Sequence, residues 1–124
     1  HSLVGSEMCI RDRTSVVHKT ASGAMEKTPI YTVTNLSRTL QQLKDECSLW
    51  VFGTSDKSDK NLYEVNFTVP FALVLGAEGK GMRRLVTEHC DELVSIPMKG
   101  TVSSLNVSVA SGVCCYEALR QRQL

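Results

Sequence analysis

FALVLGAEGKG, residues 71–81, decides how the rest of the chain is read. Phe71 to Leu75 is an unbroken apolar run closed by Gly76. A strand with one wet face alternates apolar and polar residues, whereas an unbroken run suits a parallel strand covered on both faces. Gly79 and Gly81 follow at once, then Met82, Leu85, Val86 and Cys90 at helical spacing with an inward face. Strand, glycine turn and helix make the repeating unit of a parallel α/β sheet.

The same alternation extends in both directions. Upstream, PIYTVT is rich in β-branched residues and reads as a strand. Asn35 can cap a helix in which Leu36, Leu40, Leu43 and Cys47 form one apolar stripe. LWVFG, 49–53, is a further strand, and SDKSDKN, 55–61, an exposed polar loop. Before these, a short helix is expected from Thr14, with Val17, Ala21, Ala24 and Met25 near one face, ending before Pro29. Downstream, ELVSIP, 92–97, is a strand closed by Pro97, MKGTVS is a loop, and a last helix runs from about Ser104 to Arg122. The expected class is α/β with a mainly parallel sheet, and no linker divides the chain.

A length of 124 residues suits one domain with a real core. The formal net charge of +1 announces no polyanion partner by itself. No apolar run reaches membrane-spanning length, and the amino end lacks the apolar stretch of a signal peptide. Five cysteines without a C-x-x-C pair fit neither a disulfide framework nor a zinc site. Cys47, Cys90 and Cys114 fall on expected helix faces as small hydrophobes in a reducing cytoplasm. His1, His18 and His89 are far apart, so metal ligation is not expected.

Ligands of open parallel sheets sit beyond the carboxyl ends of strands. Two loops leave strands there, GAEGKG after Leu75 and PMKGTVSS after Ile96. Gly76, Gly79 and Gly81 would admit a ligand close to backbone, although tight turns also want glycine. The pattern is neither a P-loop nor G-x-G-x-x-G. Glu78 reads as a solvated carboxylate on this loop alone, and Lys80, Arg83 and Arg84 as a phosphate contact or an exposed charged face. Ser103 or Ser104 can cap the last helix, leaving Asn106 in its first turn with an amide that donates and accepts. Val107, Ala110, Cys114 and Ala118 make its apolar row, widened by Leu105, Val109 and Val113. Ser108, Ser111 and Gly112 would let another backbone approach.

GAEGKGM and IPMKGTVSSLNVSVA, at their mutual spacing, closely resemble the SpoU/TrmH family of RNA ribose 2′-O-methyltransferases, within the SPOUT superfamily; looser likeness reaches back to about Thr14. The resemblance implies a Rossmann-like parallel sheet with a carboxyl-terminal trefoil knot. It implies S-adenosylmethionine held at Gly76, Ile96 and Leu105, with Met98 and Gly79 nearby, and a reaction centre of Glu78, Ser104 and Asn106. No metal is required. The nearest likeness is to bacterial enzymes acting on a guanosine ribose of 23S ribosomal RNA; a tRNA ribose enzyme and a non-catalytic RNA- or cofactor-binding module are the alternatives. Family members are cytoplasmic homodimers that meet through the knot and last helix.

The family's first motif carries an Asn and an Arg that activates the ribose hydroxyl, and nothing here matches it. Residues 1–13 include SEMCIRDR, which resembles translated sequencing adaptor, and are expected to be a non-family leader. Residues 14–124 are then the carboxyl-terminal part of the catalytic domain, with the first strands missing and no methyl transfer by the chain alone.

Overall fold

The computed structural model describes residues 2–4, 29, 31–76, 84–102 and 105–123. The chain divides into two compact units, residues 1–36 and 37–124. In the first, β1 (Ser2–Val4) and β2 (Tyr31–Val33) pair antiparallel, with Leu3 opposite Thr32. The expected helix from Thr14 lies outside the described residues.

The second unit carries α1 (Leu36–Cys47, whose first residue belongs to the preceding unit), β3 (Trp50–Thr54), a 3-10 turn (Leu62–Glu64), β4 (Phe71–Val74), α2 (Arg84–Glu88), β5 (Glu92–Val94) and α3 (Val107–Gln121). Its sheet is wholly parallel, in the order β4-β3-β5. The parallel sheet expected from the sequence is therefore present. Among the described residues FALV is an outer strand, and its Phe71, Ala72 and Leu73 are half-buried. The central strand is β3, where Val51, Phe52 and Gly53 are buried in succession. An apolar run marked burial but not position in the sheet: among the described residues β3 has a strand along each edge and β4 along one.

Leu40 is the buried residue of α1, flanked by half-buried Leu36 and Leu43. Cys47, expected on that stripe, is exposed because the helix stops there. Ser48 takes a left-handed φ of 54° and its N–H bonds the Lys44 carbonyl, closing the last turn. Lys44 then reaches Asp91 Oδ1 at 3.1 Å, while Asp91 Oδ2 accepts from the Val51 N–H at 2.7 Å. This network ties α1 to the amino ends of β3 and β5.

The core joins Phe52 and Val94 of the sheet to Cys114 and Ala118 of α3 and to Leu62, Val65 and Phe67 between them. The last three come from a stretch with no helical or strand period. A capping box fixes its start: Asn61 Oδ1 accepts from the Tyr63 N–H, and the Glu64 carboxylate accepts from the Asn61 N–H. Phe67, Phe52 and Phe71 form a triangle of rings: Phe67 lies 4.8 Å from Phe52 and 5.1 Å from Phe71 in tilted geometry, and Phe52 meets Phe71 edge-on at 5.7 Å.

Helix α3 buries Ala110, Cys114 and Ala118 as its spacing requires, whereas Val109, expected to widen that row, is half-exposed at 51%. A Cβ added at Gly112 would meet nothing within 4 Å, so no backbone approaches there among the described residues. Leu85, expected to face inward from α2, is 59% exposed; Val86 and Cys90, one turn apart, are the half-buried pair. Met82 lies outside the described residues.

Glu117 is a buried carboxylate that the apolar pattern did not announce. It accepts two bonds from Arg120, at 2.7 and 2.9 Å, and one from Gln121 at 2.8 Å. These donors hold its pKa down to about 2, against an opposing push from burial. A carboxylate depressed in the folded state contributes stability above its unfolded pKa and loses it as pH falls through the folded one. Unfolding monitored from pH 7 to pH 2 should therefore show stability falling below about pH 4.5. In Glu117→Gln that acid limb should flatten.

Candidate active site

Parallel pairing sends the carboxyl ends of β4, β3 and β5 to one edge. The register places Gly53 beside Val74 and Thr54 beside Val94, so Gly76 and Ile96 each lie two residues past the paired strands, on this edge. The two loops expected to form a cleft are therefore rooted together. They flank β3 rather than leaving adjacent strands, because β3 runs between β4 and β5.

That arrangement brings in a third loop, residues 55–61, whose composition marks it only as exposed polar chain. It folds over the end of β5. The Ser55 N–H bonds Val94 O at 2.9 Å, and Ser58 Oγ donates to Leu93 O at 2.6 Å. The chain then runs beside β5 as a parallel bridge, Asn61 to Ser95, with Ser95 N–H to Lys60 O at 2.8 Å and Leu62 N–H to Ser95 O at 2.9 Å. Both sides of β5 are thus held up to Ser95, one residue before Ile96. Repeated Ser and Asn at loop positions were the available signal, since such side chains bond nearby backbone.

Ile96 packs its side chain against the core, which leaves its backbone beyond the strand as the part available to a ligand. Met98 and Leu105 are half-buried and Gly76 likewise. Gly100 adopts a left-handed φ of 92° and turns the loop between Met98 and Leu105.

Asn106 is the N-cap of α3, not a first-turn residue. Its Oδ1 accepts from the Ser108 N–H at 2.8 Å, and the Ala110 N–H bonds its carbonyl. The helix therefore starts at Val107, later than the expected Ser104. A cap needs only the amide oxygen, so the two Nδ2 hydrogens remain for another acceptor. Glu78, Gly79 and Ser104, the other expected site residues, lie outside the described residues, as do Lys80 and Arg83. Arg84 is exposed and meets Glu88 at 3.5 Å.

Neither remaining half-buried or buried thiol belongs to this edge chemistry. Burial, reinforced by the Asp91 charge and opposed by Lys44, lifts Cys90 to about 11. Burial, with the neighbouring Cys115, lifts Cys114 to about 11. Thiolates are the reactive species, so both should be inert at neutral pH. Maleimide labelling of the folded chain, mapped by peptide mass spectrometry, should modify exposed Cys47 and Cys115 and spare Cys114 until unfolding. Among the described residues no cluster of His, Cys, Asp or Glu could hold a metal ion, and no helix is long and apolar enough to cross a membrane.

Comparison with known proteins identifies a family. The SpoU rRNA Methylase family description matches residues 2–116. A 23S rRNA (guanosine-2′-O-)-methyltransferase RlmB from Haemophilus influenzae is 57% identical over 109 residues, covering 88% of this chain and 44% of that protein. Its Escherichia coli namesake is 58% identical over 104 residues, covering 84% of this chain and 42% of that protein. The chain thus spans less than half the length of these curated relatives. Among solved structures, the SpoU methyltransferase AviRb from Streptomyces viridochromogenes, in complex with the cofactor AdoMet, superposes with a TM-score of 0.77 at 30% identity, over 84% of this chain and 43% of that one. The A. aeolicus TrmH/SpoU tRNA modifying enzyme superposes at 0.67 and 38% identity, over 73% of this chain and 46% of that one.

Proposed function

We propose, from the premise that this chain belongs to the SpoU rRNA Methylase family, that the whole protein methylates a guanosine ribose 2′-hydroxyl of 23S ribosomal RNA with S-adenosylmethionine. The observation that carries this reading is the 57% identity to a 23S rRNA guanosine enzyme across 88% of the chain. The tRNA modifying enzyme stands further off, at 38% over 73%. A ribosomal RNA substrate goes with a cytoplasmic location.

Gly76, Ile96, Met98 and Leu105 are the residues that would hold the cofactor. Backbone past the strand ends and half-buried apolar side chains fit an adenosine moiety there. When bound, S-adenosylmethionine supplies an electrophilic methyl group on a sulfonium. Everything else is positioning, since the acceptor oxygen must lie in line with carbon and sulfur. Asn106 sits where α3 begins, its side chain fixed by the cap, so its Nδ2 donors are preoriented. The family resemblance adds Ser104, Glu78 and Gly79 to this set, all outside the described residues. The acceptor hydroxyl stays unreactive until its proton is withdrawn, a role the resemblance gives to the Arg of the family's first motif rather than to a residue of this chain.

The whole protein works as a homodimer in this reading. Val109 and Tyr116, seven residues apart on α3 and 51% and 71% exposed, offer a face for a second copy. The test is transfer of labelled methyl groups by the full-length protein into 23S ribosomal RNA, followed by digestion to nucleosides. The expected product is 2′-O-methylguanosine. A label on the base, or on tRNA alone, overturns the assignment; no transfer with retained cofactor binding favours a non-catalytic module.

A further inference from the structure

The last turn of α3 grips the segment that leads into β4. Gln121 Oε1 accepts from the Phe67 N–H at 2.7 Å, and its Nε2 donates to Val65 O at 2.9 Å and to Glu117 Oε2 at 2.8 Å. Arg122 Nε donates to Phe67 O at 2.9 Å and Nη2 to Val69 O at 2.8 Å, its guanidinium lying 5.3 Å from the Phe71 ring centroid. Four side-chain bonds thus tie the backbone of residues 65–69 to the end of α3. Phe71 opens β4, which runs towards Gly76, and α3 runs from Asn106 to this clamp. Strand and helix are therefore joined at the end opposite to the candidate cleft, while each carries one wall of the cleft at its other end.

We propose that Gln121 is a positioning residue for the methyl-donor cleft, setting the strand that leads to Gly76 against the helix that begins at Asn106. The inference rests on the cofactor reading above. Part-buried, bidentate amide contacts fix register along the helix axis, which apolar contacts through Ala118 and Cys114 do less sharply. A slide of the helix by a fraction of a turn would move Leu105 and Asn106 relative to Gly76, and small misplacements are costly in such sites.

The experiment compares Gln121→Met with Leu40→Ala, a core variant on α1 that leaves the clamp intact, in the 124-residue chain. Gln121→Met should weaken S-adenosylmethionine binding in calorimetry about tenfold, the scale of one lost net hydrogen bond. Amide exchange should quicken at Leu73–Gly76 and Leu105–Ala110 as well as at residues 65–69. Leu40→Ala should lower the melting temperature without changing affinity. Unchanged affinity in Gln121→Met, or equal weakening in Leu40→Ala, overturns the proposal. Arg122→Met, which removes only the outer pair of bonds, gives a graded version should Gln121→Met not fold. Should the unsubstituted chain not bind, the functional reading is judged by methyl transfer in the full-length protein instead. Exchange then decides the clamp: loosening that reaches both Gly76 and Leu105 upholds the link, and loosening confined to 65–69 overturns it.

Discussion

Asn106→Asp in the full-length protein should keep the fold and lose methyl transfer by about a hundredfold or more, as when one preorganised donor is removed from a reaction centre. The substitution is chosen because Asn106 has two separable roles. As N-cap it needs an oxygen, which accepts from the Ser108 N–H at 2.8 Å. An aspartate supplies that oxygen equally well, and its charge suits a helix amino terminus. As a site residue it needs the Nδ2 donors, which an aspartate lacks. Asn106→Ala removes both and should additionally cost about 1 kcal/mol of stability. The checks are a thermal melt and a methylation rate on the same samples. A melting temperature that holds while the rate collapses assigns Asn106 to the chemistry. A rate that follows stability alone, with Asn106→Asp as active as the unsubstituted protein, would reduce the residue to a cap.

The second large effect concerns a residue in no regular element. Phe67 is fully buried, and its ring completes a three-ring cluster with Phe52 and Phe71, which also touch each other. Phe67→Ala should cost about 3–5 kcal/mol, the usual range for emptying such a site. That is a large share of a small domain's stability. Circular dichroism melts should show the transition lowered by about 10 °C or more, or no folded baseline. Tyr63→Ala, four residues earlier and 58% exposed, should change stability by no more than about 0.5 kcal/mol. Equal effects at the two positions would mean that the irregular segment is not part of the core.

The contrast between these residues shows where sequence was informative. Period and composition located β3, β4, β5, α1 and the buried row of α3, because each buries one side at regular spacing. They missed Leu62, Val65 and Phe67, whose burial comes from a capped turn and a clamp at Gln121 and Arg122 rather than from a repeat. The N-x-x-E pattern at Asn61 and Glu64 was the one local cue. Glu117 was invisible for the same reason: its partners Arg120 and Gln121 satisfy it within one turn, so a carboxylate can occupy an apolar face.

The site was legible in a different way. Its two motifs stand out by resemblance, and parallel topology then puts Gly76 and Ile96 past the strands at one edge. Strand order was not legible, so sequence alone does not place β3 between the two loops and overlooks the intervening loop 55–61. Nor could spacing alone choose between Ser104 and Asn106 as the cap, since both are good capping types.

The central claim is that loops from β4 and β5 and the start of α3 close on one methyl-donor molecule. Titration of the isotopically labelled chain with S-adenosylmethionine, followed by amide resonances, addresses it most directly. Signals of Gly76, Ile96, Met98 and Leu105 should shift together along one saturating curve while Gln41 and Gln42 on α1 stay still. Shifts at Gly76 without Leu105, or a response confined to α1, would contradict it.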